Sequence, residues 1–134
     1  MAQYVVVLFE TGLEIFPRQK NSFHGPVHTS PTLIIVSALT RMEVDYGLML
    51  NAERARKLAP VLDAFFSTIA TLSFDEADAQ AAAGIRAALR AKGQPIGAYD
   101  VLIAGTGLAR GLAVVTSNVG EFKRVSGLKV ENWR

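Results

Sequence analysis

The stretch LIIVSALTRMEVDYGLML, residues 33–50, decides the fold class. Its first four residues are apolar and mostly β-branched, which predicts a strand buried on both faces, as in a parallel sheet. Ser37 is a favourable N-cap, and residues 38–50 predict the helix that follows it. A buried strand leading directly into a helix is typical of α/β proteins with a parallel sheet.

The same pattern recurs along the chain. Residues 4–9 and 112–116 predict further buried strands, and residues 69–72 and 128–130 predict short ones. Helices are expected at 52–67, at 98–110 and between the Ser73–Glu76 capping box and Gly93, with a helical turn at 119–122. Residues 17–32 predict a loop. The whole predicts an α/β fold with a mainly parallel sheet.

Two local patterns refine the helices. Pro60 is expected to begin a second helical piece within residues 52–67, because proline fits the first turn of a helix. Gly105 and Gly107 lie in the middle of a predicted helix, where a nucleotide-binding glycine loop is not expected, so they indicate close helix packing.

Composition bounds the class of protein. The chain has 134 residues, 50% hydrophobic and 19% charged, which excludes a disordered chain and predicts one domain over residues 1–134. The absence of cysteine excludes disulfides and thiolate chemistry. The early apolar run at 4–9 is too short for a signal segment or a membrane span, so a cytoplasmic protein is expected.

Charge is unevenly distributed. The formal net charge is only +2, but residues 86–134 contain 8 basic and 3 acidic residues, whereas residues 1–85 contain 6 and 9. A basic C-terminal third indicates either a surface that meets a polyanion or an ordinary mixed surface.

Two carboxylates lie on apolar helix faces. Glu43 shares its helix face with Leu39, Tyr46 and Leu50, and Asp100 begins an otherwise apolar helix. Carboxylates that converge from two such helices are typical of a site for Mg²⁺ or Mn²⁺. The alternatives are an ion pair of Glu43 with an arginine such as Arg41 or Arg110, and a helix-dipole role for Asp100.

From residue 34 to residue 133 the sequence resembles the PIN-domain ribonuclease toxins called VapC. The resemblance rests on four stretches taken in order. They are SALTRMEVDYG at 37–47, SFDE at 73–76, GQPIGAYDVLIA at 93–104, and VTSNVGEFKRV at 115–125 followed by GL at 127–128 and ENW at 131–133. It implies a three-layer sandwich with a central, mainly parallel sheet flanked by helices.

The resemblance also implies roles for individual residues. Glu43 and Asp100 are expected to be catalytic metal ligands, with Thr116 and Asn118 on a supporting segment. Asn118 is expected to reach the metal through water. Glu121 is the nearest further carboxylate, and we expect a surface position for it rather than direct ligation. Arg110, Lys123 and Arg124 are candidates for holding an RNA backbone.

The N-terminal part departs from the family pattern. The family's first strand ends in a Leu-Asp-Thr-Asn motif whose Asp is a metal ligand, and this chain has Phe9-Glu10-Thr11-Gly12 instead. Glu10 follows a predicted strand, where functional groups of α/β folds lie, so it is the candidate replacement. Residues 10–33 are atypical of the family, either through divergence or through an upstream reading-frame error.

The resemblance implies the toxin of a type II toxin-antitoxin system. Such a protein is a Mg²⁺- or Mn²⁺-dependent endoribonuclease that cleaves RNA such as tRNA, forms a homodimer and is blocked by a VapB-like antitoxin. The alternative is a catalytically impaired PIN domain that binds antitoxin or RNA without cleaving it. A nucleotide-binding α/β domain is a third and weaker hypothesis.

Overall fold

A five-stranded parallel sheet forms the centre of the molecule. The computed structural model describes the backbone of residues 4–6 and both backbone and side chains of residues 34–132. The strands are β1 (Tyr4–Val6), β2 (Ile34–Ser37), β3 (Ala70–Leu72), β4 (Ala113–Val115) and β5 (Val130–Glu131). Their order is β3-β2-β1-β4-β5, and all four pairings are parallel.

Within residues 34–132, five helices connect and cover the strands. They are α1 (Ala38–Met49), α2 (Ala52–Thr68), α3 (Glu76–Ala91), α4 (Ala98–Arg110) and the short α5 (Val119–Phe122). Ser37 caps α1, since its Oγ accepts a hydrogen bond from the Leu39 N–H at 3.1 Å. Gly111 ends α4 in the left-handed conformation at φ 66°, where glycine is favoured.

Side chains of the strands alternate between two apolar layers. On one face, Ile34, Val36 and Val115 pack with Val44 of α1 and the inner side of α2. On the other face, Val114 and Ile35 pack with buried residues of α3 and α4. Helices therefore cover both faces of the sheet, which confirms the three-layer sandwich.

Two predicted helix boundaries are corrected. Helix α3 is capped by Asp75, not by Ser73, and its capping box is closed by Asp78 in place of Glu76. Pro60 lies inside the continuous helix α2 and does not begin a new piece. Proline has no backbone N–H to donate to the carbonyl of Arg56, and both residues lie on the exposed side of α2.

Helices α3 and α4 approach each other closely, as the glycines predicted. A Cβ on Gly105 would lie 2.8 Å from the Cβ and the backbone nitrogen of Ala82 and from the carbonyl oxygen of Asp78. A Cβ on Gly107 would lie 2.9 Å from Val114. Only glycine permits these contacts, which set how closely α4 packs against α3 and β4.

Candidate metal and nuclease site

The carboxyl edge of the sheet gathers the predicted site residues. Helix α1 leaves that edge at the end of β2 and carries Glu43 in its second turn. Thr116 follows the last residue of β4 at the same edge. Helix α4 runs back towards β4, so its first turn, with Asp100, also lies there. Because parallel strands end together, three separate chain segments meet at one place.

Asp100 is the buried centre of this cluster. Its side chain is 8% exposed and forms a hydrogen bond with the carboxyl group of Glu121. Burial, that hydrogen bond, and the negative charges of Glu121 and Glu43 raise the pKa of Asp100 from 3.8 to about 7. The site therefore accumulates negative charge that only a proton or a cation can neutralise.

Glu121 has a larger part than the sequence indicated. The Nδ2 of Asn118 donates a hydrogen bond of 2.6 Å to Oε2 of Glu121. The backbone N–H of Asn118 donates to the Oγ1 of Thr116 at 2.9 Å. Glu121 is half-buried, and its carboxylate lies against both Asp100 and Asn118, so it contributes more to the cluster than a plain surface position would. Thr116 and Asn118 orient that carboxylate, which is a supporting role.

Gly97 is a site residue that sequence reasoning missed. It is the N-cap of α4 and makes no side-chain capping bond. A Cβ at this position would lie 3.1 Å from Oδ2 of Asp100, closer than carbon and oxygen normally approach there. Glycine thus leaves one oxygen of Asp100 open. No pattern of functional groups points to Gly97, because its contribution is the absence of a side chain.

Arg110 has a structural role in the described structure. Its guanidinium donates to both carboxylate oxygens of the fully buried Asp78, at 3.0 and 2.9 Å. It also contacts Asp75 at 3.1 Å and donates to the carbonyl of Ser73. The hydrogen bond with Arg110 lowers the pKa of Asp78 despite its burial. This guanidinium is already engaged by carboxylates, which argues against Arg110 as an RNA contact.

The other two basic candidates differ. Arg124 donates to the carbonyl of Pro95 at 3.0 Å and so fastens the loop before α4. Lys123 is exposed at the end of α5, one helical turn from Asn118 and close to the acidic cluster in sequence. Lys123 therefore stays a candidate for contacting phosphate.

Arg41 and Arg110, the two arginines named above as possible ion-pair partners of Glu43, are engaged by other carboxylates. Arg41 pairs with Asp45 at 3.5 Å and lies 4.0 Å from the centre of the Phe66 ring. Arg110 is occupied by Asp78 and Asp75, as described above.

The donor set fits a hard divalent cation. Within residues 34–132, no group of three or more acidic, histidine or cysteine side chains is close enough to hold a metal ion by itself. Magnesium, however, is typically bound through one or two carboxylates and keeps several waters. The contact between the Asp100 and Glu121 carboxyl groups supplies such a pair. Glu10, the further predicted ligand, lies outside the described residues.

Comparisons with known proteins agree with this architecture. The family model of the PIN domain matches residues 24–128. A tRNA(fMet)-specific endonuclease VapC of Shigella flexneri is 43% identical over 98 residues, which cover 73% of this chain and 74% of that protein. The chain belongs to the PIN-domain family and, within it, to the VapC group.

Solved structures of related proteins show the same fold. The match to the crystal structure of DNA-bound VapBC from Salmonella typhimurium has a TM-score of 0.86 at 32% identity and covers 100% of both chains. VapBC2 from Rickettsia felis, bound to a DNA fragment from its promoter, matches with a TM-score of 0.75 at 25% identity over 97% of this chain and 99% of that one. Among the described residues, no helix is both long enough and apolar enough to cross a membrane.

Proposed function

We propose that this protein is a divalent-metal-dependent endoribonuclease and the toxin of a toxin-antitoxin pair. The observation that carries the proposal is the acidic cluster at the carboxyl edge of the sheet. There Asp100 contacts Glu121, and the negative charge of Glu43 raises the pKa of Asp100. Repulsion between neighbouring carboxylates lowers the free energy of unfolding and is typical of functional sites.

Asp100, Glu43 and Glu10 would hold the metal, with Glu121 beside Asp100. Mg²⁺ or Mn²⁺ suits these oxygen donors. When bound, such a cation supplies Lewis acidity towards phosphate oxygens and a water of lowered pKa. Glu10 is included only because it follows the first predicted strand in the sequence.

The surrounding residues keep the carboxylates in place. Ser37 starts α1 at the sheet edge and so sets the direction of Glu43. Asn118 fixes Glu121 through the amide hydrogen bond, and Thr116 fixes Asn118 in turn. Gly97 keeps the approach to Asp100 open. Lys123, exposed beside this edge, would bind the RNA backbone by charge.

Substrate and partners follow from the relatives. The Shigella relative is named a tRNA(fMet)-specific endonuclease, and the Salmonella and Rickettsia structures are VapBC complexes. We therefore propose tRNA as the substrate, a VapB-like antitoxin as the inhibitor, and a homodimer as the assembly. We also propose the cytoplasm as its location, because that is where tRNA is used.

The test is cleavage of a tRNA pool, including initiator tRNA, by the purified full chain with Mg²⁺ or Mn²⁺. Asp100→Asn, Glu43→Gln and Glu10→Gln are compared with wild type, and chelator is added in a parallel reaction. We expect wild-type cleavage that needs metal and is lost in Asp100→Asn and Glu43→Gln.

Asp63→Asn is the matched control, since Asp63 is an exposed carboxylate on α2. It should cleave like wild type. Activity unchanged by Asp100→Asn would contradict the site. A folded protein that binds antitoxin but never cleaves would instead support the catalytically impaired PIN domain.

A further inference from the structure

A cavity of about 790 Å³ opens directly beside the acidic cluster. Its wall includes Glu43, which reaches it from α1, so the cavity and the candidate metal site share a residue. The remaining lining is formed by α1, the start of α2 and the start of α4, and the residues that matter most are Tyr46, Tyr99 and Arg54.

Two exposed tyrosines line this cavity. Tyr46 is 60% exposed and Tyr99 is 52% exposed. Both are tied to candidate metal ligands by the helices that carry them. Tyr46 lies one helical turn after Glu43, and Tyr99 immediately precedes Asp100. Both rings line the cavity that Glu43 also lines, so they lie beside the candidate metal site.

We infer that Tyr46 and Tyr99 are specificity-determining residues that stack on unpaired nucleobases next to the cleaved phosphodiester. The inference rests on the proposed nuclease function. Proteins read single-stranded RNA by stacking splayed bases on aromatic rings, and every base offers a face for it. Arg54, exposed on the same wall, supplies the positive charge that the adjoining phosphate needs.

The lining offers both apolar and polar groups to a nucleotide. Its surface is more apolar than polar, with Met42 and Leu50 beside the two phenol rings, and it also carries a guanidinium, the Asn51 amide and the Glu43 carboxylate. Flat rings with polar edges, and a cation at one end, complement a base and its phosphate. The cavity is also large enough for more than one base.

The test separates binding from cleavage. In an Asp100→Asn background, single-stranded RNA that carries one fluorescent aminopurine is titrated with the full chain, and quenching reports stacking of that base. Tyr46→Ala and Tyr99→Ala are each expected to weaken binding by about 5- to 100-fold and to remove quenching. Tyr46→Phe and Tyr99→Phe are expected to retain both. Val61→Ala, an exposed apolar residue of α2 outside the cavity, is the control and should bind normally.

The outcomes distinguish this inference from the proposed function. If otherwise wild-type protein cleaves RNA and the alanine variants bind and cleave equally well, the stacking role is overturned while the nuclease stands. Phe variants as weak as the Ala variants would overturn stacking in favour of the phenol hydroxyls. Alanine variants that lose only antitoxin binding would overturn it in favour of a protein-docking surface. A protein that neither binds nor cleaves RNA would overturn both proposals.

Discussion

Removing the charge of Asp100 is expected to stabilise the metal-free protein. In the folded state the pKa of Asp100 is raised from 3.8 to about 7. Each pKa unit corresponds to about 1.4 kcal/mol, so ionised Asp100 lowers the free energy of unfolding by about 4 kcal/mol above pH 7. Asp100→Asn keeps the size of the side chain and removes this charge.

The sign of the effect depends on pH. Below 3.8, Asp100 is protonated in both the folded and the unfolded chain, and its charge costs nothing. Between 3.8 and about 7, the unfolded chain releases the proton while the folded protein retains it, so wild-type stability falls as pH rises. The advantage of Asp100→Asn should therefore be absent near pH 4 and complete near pH 8.

Thermal unfolding in chelator measures this directly. Near pH 8, Asp100→Asn should unfold about 14 °C above wild type, and the difference should vanish near pH 4. Adding Mg²⁺ should raise the Tm of wild type more than that of the variant, since the metal neutralises the same charge. Asp63→Asn should follow wild type throughout. A variant that is less stable than wild type near pH 8 in chelator would refute the reasoning.

Three further substitutions test the packing around the site. Arg110→Ala should lower the free energy of unfolding by about 3–5 kcal/mol, because it leaves the buried carboxylate of Asp78 without its guanidinium. Urea unfolding measures that loss, and an increased KM for RNA at unchanged stability would contradict it. Gly105→Ala should cost about 1–3 kcal/mol, since its Cβ would meet backbone atoms of α3; an unchanged urea midpoint would count against the close helix contact. Gly97→Ala should weaken Mg²⁺ binding in calorimetry by crowding Asp100 while barely changing the Tm, and equal Mg²⁺ affinity would argue against an open approach through Gly97.

Much of the fold was predictable because its signals are local. The β2–Ser37–α1 unit and α4 with its terminal Gly111 follow from apolar runs, a cap and a glycine that lie next to each other in sequence. The capping of α3 was not predictable in the same way. Ser73 and Asp75 both begin an acceptable capping box, and Asp78 is fixed by Arg110, 32 residues further along the chain.

The site, too, could be predicted from the sequence only where its signals are local. Glu43 and Asp100 stand out because a carboxylate on an apolar helix face is costly. Glu121 carries no such signal in the sequence. Its role comes from a hydrogen bond with Asn118 and from contact with Asp100, which lies on α4, a helix that ends more than ten residues before Glu121. The open side of Asp100 depends on a missing side chain at Gly97, which a pattern of functional groups cannot reveal.

The place of β1 in the sheet has a consequence for the order of folding. This strand comes first in the chain but lies in the middle, between β2 and β4, with Tyr4 opposite both Ile34 and Ala113. Pairings that join such distant residues form slowly, because a long loop must close first. During synthesis, β1 therefore leaves the ribosome long before β4. Asp100 and Glu121 can come together only after residue 121 has been synthesised, so the acidic cluster forms later than the pairing of β1 with β2 can form.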